Sequence, residues 1–162
     1  MRVTVGAYAR TTKVADPNPD ELRVRVSAAR VARLGTVDPA GRPHLVPICF
    51  ALADDVVYTA VDQKPKRTKR LARLENIRAH PEVTILVDHY DEDWSRLWWV
   101  RLRGQARVIE GGSELARALS LLTAKYDQYR RERPTGPAVA VDVREWRGWS
   151  AAAAAGTEGG SG

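Results

Sequence analysis

The chain has 162 residues, 44% hydrophobic and 28% charged, with a formal net charge of +6, the profile of one soluble globular domain large enough to bury a core. Its single cysteine, Cys49, excludes an internal disulfide, and no run of about 18 apolar residues is present to span a membrane. The N-terminus lacks an apolar segment followed by a cleavage site, so the expected setting is the cytoplasm.

Residues 1–17 show only a weak alternation at Val3, Val5 and Ala7 and are expected to be a disordered extension. Asn18-Pro19-Asp20-Glu21 then reads as a helix start: Asn accepts at the cap, Pro suits the first helical position, and acids face the positive end of the dipole. A short helix to about residue 29 is expected. Residues 31–37 (VARLGTV) form a strand candidate, Asp38-Pro39-Ala40-Gly41 matches a type I turn, and residues 43–52 (PHLVPICFAL) return as the partner strand. Cys49 sits in the apolar run of that strand and is expected to be a buried structural thiol. Asp54-Asp55 makes the next reversal, and residues 56–60 (VVYTA) are rich in β-formers.

The next segment carries the charge of the whole chain. Between Lys64 and His80 stand Lys64, Lys66, Arg67, Lys69, Arg70, Arg73 and Arg78 against the single acid Glu75. Three of the chain's five lysines are at 64, 66 and 69. A lysine-rich loop entering a helix N-terminus is a physically sound site for phosphate or carboxylate, because backbone N–H groups and the helix dipole add to the ammonium charge. A solvated basic face is the plainer reading, and phosphate-backbone binding to nucleic acid is a third. The run is short and has no interleaved aromatics, which disfavours nucleic acid.

Thr68 is placed to cap the helix that follows, with Leu71, Leu74 and Ile77 on one face and Arg70, Arg73 and Arg78 outward, and Pro81 closes it. Residues 83–87 make a short apolar strand and residues 88–93 (DHYDED) an acidic loop. Residues 98–109 alternate Val100, Leu102, Gly104, Ala106 and Val108 with Arg101, Arg103, Gln105 and Arg107, a long strand with one polar face. Ser113 reads as the cap of a helix to about residue 131 with a buried stripe of Leu115, Leu119, Leu122 and Tyr126. Residues 138–143 make the last strand, ending in REWRGW, and residues 151–162 form a small-residue tail expected to be disordered. Six or so strands, mostly antiparallel with helices in the connections, predict a mainly β fold, a closed or partly closed barrel occupying residues 18–150.

The three histidines, His44, His80 and His89, are far apart with no i, i+4 pair, so no metal site is expected, and no nucleophile-elbow pattern surrounds any serine. His44, in a strand, is expected to be a satisfied structural histidine. The chain offers an anion grip and a β-rich core without an evident acid, base or nucleophile, and no catalytic side chain is assigned. That suits a protein whose cofactor carries the reactivity.

Taken together, VARLGTVDPAGRPHLVPICFAL, VVYTAVDQKPKRTKRLARLENIRAHPEVTILVDHY and WWVRLRGQARVI resemble the pyridoxamine 5′-phosphate oxidase-like split-barrel flavin and deazaflavin proteins, over roughly residues 22–149. Within them the chain is similar to the branch that uses the deazaflavin coenzyme F420. It is short and lacks the C-terminal Arg-Leu-His-Asp-Arg type motif with which pyridoxamine phosphate oxidases hold their substrate. The resemblance implies an FMN-binding-like split barrel and a homodimer with two cofactor grooves at its interface. It places the cofactor phosphate against Lys64, Lys66, Arg67 and Lys69. Tyr58, Thr59, Ala60 and Val61 border the ring and its ribityl chain, and Pro47, Ile48 and Cys49 approach the ring with backbone groups. Trp98 and Trp99, or Arg101 and Arg103, come across the interface.

The implied activity is hydride transfer from reduced F420 to a small organic acceptor, with the protein holding donor and acceptor faces together. FMN on the same barrel is the alternative, since it too has a phosphate. Non-catalytic flavin, deazaflavin or haem binding is another, with His44 or His89 the only available haem ligands. For the grip itself, Lys64→Ala and Lys69→Ala are each expected to weaken cofactor binding by about 1.5–3 kcal/mol, the worth of a charge-assisted hydrogen bond, in an equilibrium titration. Unchanged affinity in both places the phosphate elsewhere.

Overall fold

Alternation of inward apolar and outward polar side chains builds one sheet, and its hairpins set the order of the strands. The structure, a computed structural model, describes residues 18–61 and 67–151, without the side chains of residues 67–71. The expected N-terminal extension and most of the C-terminal tail therefore lie outside the described residues, as do Lys64 and Lys66. Helix α1 (Pro19–Ala28) starts as its sequence predicts, with the Asn18 side chain accepting from the Asp20 N–H at 3.0 Å. Strands β1 (Ala32–Val37) and β2 (Pro43–Ile48) pair through the predicted turn. There Asp38 Oδ1 accepts from the N–H groups of Ala40 and Arg42 at 2.9 Å, and Gly41 takes a φ of +82°, a left-handed conformation that costs a side-chain-bearing residue.

The partner strand expected over residues 43–52 is two strands. β2 ends at Ile48 and β3 (Ala51–Ala53) follows, because β2 pairs with β1 whereas β3 pairs with β4 (Val56–Ala60). Helix α2 (Arg67–Ala79) leads to β5 (Glu82–His89) and then β6 (Trp98–Ile109); helices α3 (Gly112–Lys125) and α4 (Asp127–Arg131) precede β7 (Ala138–Ser150). The seven strands lie in the order β2-β1-β5-β6-β7-β4-β3, every pair antiparallel. Since β2 and β3 stand at opposite ends of this sheet and are joined by Cys49 and Phe50 alone, the sheet must curl until its ends meet. The result is a split barrel.

Other boundaries differ from the sequence reading for tertiary reasons. β5 takes in Asp88 and His89, expected in a loop, and β7 continues through Arg144–Trp149, because the long β6 supplies ladder partners along their full length, down to Trp98 opposite His89 and Ser150. Helix α2 begins at Arg67, so Thr68 lies inside it and is not its cap. The cap residue of α3 is Gly111, without a side-chain bond, not Ser113. The single helix expected to residue 131 breaks at Tyr126, whose φ of −117° and ψ of 123° are extended.

The barrel is filled by Leu34, Phe50, Val57, Ile85, Val100, Leu102, Val139 and Val141. Leu22 and Val26 of α1 and Leu74 and Ile77 of α2 pack against the same core. Asn76 of α2 is buried and donates to Thr36 Oγ1 at 3.1 Å, so the helix is tied to β1 by a satisfied polar pair as well as by apolar contact. No helix among the described residues is long and apolar enough to cross a membrane.

Between Arg103 and Gly104 the β6–β7 register shifts, and the chains come so close that a Cβ on Gly104 would lie 2.2 Å from the Asp142 carbonyl oxygen. On Gly35 the nearest atom to an added Cβ is 3.5 Å away, an ordinary contact. Gly104→Ala is therefore expected to cost about 1–3 kcal/mol or more in chemical denaturation, and Gly35→Ala less than about 1 kcal/mol.

Candidate functional site

Closure leaves a gap where the two ends of the sheet meet. Among the described residues, β2 has a ladder partner only on its β1 side, and β3 pairs with Val56, Val57 and Tyr58 of β4 but not with Thr59 or Ala60. Two stretches of strand backbone thus face each other with one edge each outside the ladder, and such edges are available to a ligand. The cleft between them measures about 210 Å³ and is lined by Pro47, Ile48 and Cys49 on one wall and Thr59, Ala60 and Val61 on the other. Arg73 of α2 and Tyr129 of α4 complete it.

The structure therefore gathers six of the residues singled out from sequence. Cys49 is exposed there, not buried: Ile48 and Phe50 take the inward positions on either side of it, which turns the thiol out at the crossing. Residues 62–66, with Lys64 and Lys66, join Val61 to α2 and lie outside the described residues. Arg67 and Lys69 belong to the first turn of α2, which contains no acidic residue, and their side chains are likewise outside the description.

Two other candidates are placed elsewhere. Tyr58 is buried against α3, where its hydroxyl donates to Glu114 Oε1 at 3.4 Å, and does not line the cleft. Burial, with the Glu114 charge second, raises the Tyr58 pKa. Glu114 is held in turn by Arg107 through contacts of 2.5 and 2.6 Å, and Arg107 also reaches Asp142 at 3.1 Å, so this network fastens α3 to β6 and β7. The Arg107 hydrogen bonds hold the Glu114 carboxyl below the usual range. Arg103 points outward from β6, 3.7 Å from Glu145.

Sequence reasoning passed over Tyr129 and turned Arg73 outward, where it and Arg70 were candidates for the anionic tail of the coenzyme and not for the cleft wall. Arg73 stands four positions before the buried Ile77, and Tyr129 three after the buried Tyr126, so both are on the edge of an apolar stripe, the one signal that bore on them. His44 and His89 do not line the cleft. His44 Nδ1 is buried without a hydrogen-bond partner among the described residues, contrary to the expected satisfied histidine, and His89 stacks on Trp98 with ring centroids 6.0 Å apart.

Behind the Cys49 wall stands Lys125, whose Nζ lies 4.1 Å from the Phe50 ring centroid and is buried without a hydrogen-bond acceptor among the described residues. Burial, with a smaller push from the Arg30 guanidinium, lowers its pKa to about 8.

The family model described as pyridoxamine 5′-phosphate oxidase matches residues 19–150, and the chain belongs to that family. Among solved structures it is similar to a conserved hypothetical protein of Mycobacterium tuberculosis, with 21% identity, a TM-score of 0.71, and 90% of this chain and 92% of the other covered. A FAD-binding protein of Mycobacterium smegmatis is similar at 21% identity and a TM-score of 0.57, covering 83% of this chain and 97% of that one. A haem-binding protein of Mycobacterium smegmatis is similar at 17% identity and a TM-score of 0.62, covering 84% and 59%. These likenesses establish the split-barrel fold. No curated protein matches the sequence.

Lys125 makes stability pH-dependent. Its folded pKa of about 8 lies below its ordinary 10.5, so between these values the unfolded chain binds the extra proton and stability rises as pH increases through that window. The raised pKa of Tyr126 opposes the rise near the top of the window, where unfolded tyrosine ionises first. Lys125→Met is expected to remove most of this rise in denaturation midpoints measured from pH 7 to 10, and an unchanged slope would show that the ammonium is hydrated.

Proposed function

We propose that the cleft seats a flavin-type cofactor and that the protein is an oxidoreductase acting on a small organic substrate. The observation that carries this is the pair of facing strand ends, Pro47 to Cys49 and Thr59 to Val61, each paired on one side and open on the other among the described residues, at the split of a pyridoxamine 5′-phosphate oxidase-family barrel. The residues present fit such a group. Ile48, Ala60 and Val61 offer apolar surface for a flat ring, the strand edges offer backbone groups to its polar rim, and Arg73 supplies positive charge at the mouth. Lys64 and Lys66 lie in sequence between Val61 and α2, and Arg67 and Lys69 in its acid-free first turn, a favourable seat for a phosphate.

When bound, a reduced flavin or deazaflavin ring supplies hydride chemistry. The protein's part is to orient that ring and its acceptor and to keep water from between them. The narrower reading, drawn from the sequence resemblance, is coenzyme F420, whose anionic tail would use the surplus cations. FMN or FAD on the same cleft is the competing reading, and it is favoured by the FAD-binding proteins of the same fold.

A homodimer working in the cytoplasm belongs to the same proposal. A volume of about 210 Å³ is below the ~300–1,000 Å³ of most ligand pockets, so one chain leaves part of such a cofactor uncovered. Pro47 also begins an outward row that crosses the sheet through Arg33, Leu86, Arg101 and Arg147, flanked by the exposed Leu45 and Trp99. That mixed face supports a second copy closing the cleft.

Titration of the purified protein with F420 and, separately, FMN, followed by the fluorescence of its five tryptophans, tests the reading. Saturable binding of at least one is expected. Preference for F420 selects the deazaflavin reductase, preference for FMN selects the flavin enzyme, and binding of neither overturns the cofactor assignment.

A further inference from the structure

The residue that bridges the split, Phe50, belongs to neither β2 nor β3, so no neighbouring strand satisfies its backbone. One side chain takes the place of that strand. The Phe50 N–H donates to the Tyr126 hydroxyl oxygen at 3.0 Å, and the same hydroxyl stands 2.9 Å from the Phe50 carbonyl oxygen and 2.9 Å from that of Arg30. A phenol has one proton to give and can accept at its oxygen, so it receives the Phe50 N–H and donates to one of the two carbonyls. The N–H of the crossing residue, and either its own carbonyl or that of Arg30 just before β1, are thereby held to one atom.

Several features serve that placement. The helix breaks at Tyr126, which lets the ring leave the helical stripe and enter the corner. The Arg30 guanidinium lies over the Tyr126 ring at 4.7 Å and donates to the Lys125 carbonyl at 2.8 Å, pinning the break from outside. Lys125 covers the Phe50 ring. Three residues on, Tyr129 meets the Tyr126 ring edge-on at 5.7 Å and forms part of the cleft wall. Tyr126 itself does not line the cleft.

We propose that Tyr126 is the positioning residue of the cleft: by holding the Phe50 peptide it sets the distance between the Pro47–Cys49 wall and the Thr59–Val61 wall. Through Tyr129 the same segment transmits that position to the cleft's end. The inference rests on the flavin reading for its ligand but not for its geometry.

The chain's single thiol reports on the corner directly, since Cys49 is exposed and adjoins Phe50. Tyr126→Phe keeps the ring and removes only the hydroxyl. It is expected to speed labelling of Cys49 by a chromogenic aromatic disulfide, and to weaken the binding of whichever probe the wild type takes, FMN or F420, by about tenfold, with an unchanged far-UV spectrum. Ile85→Val, a core change on β5, which pairs with β1 and β6 and with neither β2 nor β3, controls for general loosening and is expected to alter neither reading. A labelling rate within about twofold of wild type in Tyr126→Phe, or the same acceleration in Ile85→Val, overturns the proposal. If the wild type binds neither probe, the cofactor reading falls and the labelling rates still decide the role of Tyr126. Should Tyr126→Phe not fold, Arg30→Ala, which leaves the hydroxyl and its three contacts, is expected to accelerate labelling to a smaller degree, and no acceleration overturns the proposal.

Discussion

One chain segment must serve both ends of the same sheet, and most of this structure follows from that demand. β2 extends the sheet beyond β1 and β3 extends it beyond β4, yet only Cys49 and Phe50 separate them. The sheet can satisfy so short a link only by curling through a full turn, which encloses the apolar faces of all its strands and removes most of the open edge. Where the link crosses, the ladder is interrupted, and the interruption is the cleft. The architecture that makes the core and the gap that makes the site are thus one constraint seen from inside and outside.

A gap in a ladder leaves polar groups to be satisfied, and the molecule meets only part of that need from its own side chains. Phe50, which is fully buried, has its N–H satisfied internally by the Tyr126 hydroxyl. The edges of Pro47–Cys49 and Thr59–Val61 are not closed by a strand in this way and line the cleft. The helices are arranged accordingly. α3 is bound to the barrel by the Arg107, Glu114 and Asp142 network, well away from the cleft, which leaves its C-terminal end to place Tyr126 and Tyr129. α2 is bound by Leu74, Ile77 and the Asn76–Thr36 pair at its middle, which leaves Arg73 at the cleft.

Charge is distributed on the same plan. On the outer sheet face the arginines largely find carboxylates, as Arg33 does with Asp88 at 2.6 Å and Arg147 with Glu145 at 3.0 Å. From Lys64 to His80, by contrast, seven basic residues stand against a single acid, Glu75. Exposed pairs of the first kind contribute little to stability, whereas a segment of net positive charge next to a helix start favours an anion from solution. Under the proposed function that anion is the phosphate of the cofactor.

What the sequence determined by itself was whatever neighbours along the chain decide. The Asn18 cap, the Asp38 turn, the strands Val56–Ala60 and Trp98–Ile109, and the concentration of lysines after Val61 are all set by periodicity, turn chemistry or composition within a few residues. Only the tertiary structure decided that residues 43–52 part at Cys49, that this thiol faces out, that the helix after Gly111 stops at Tyr126, and that Arg73 turns to a cleft. Each of these answers to a partner far away in the chain. Tyr126 is drawn out of its helix by backbone atoms 76 and 96 positions earlier, and β7 runs on to Ser150 because β6 reaches Trp98. Local preference chooses an element, but which elements stand at the two ends of a closing sheet is a property of the closure, and the candidate site is made there.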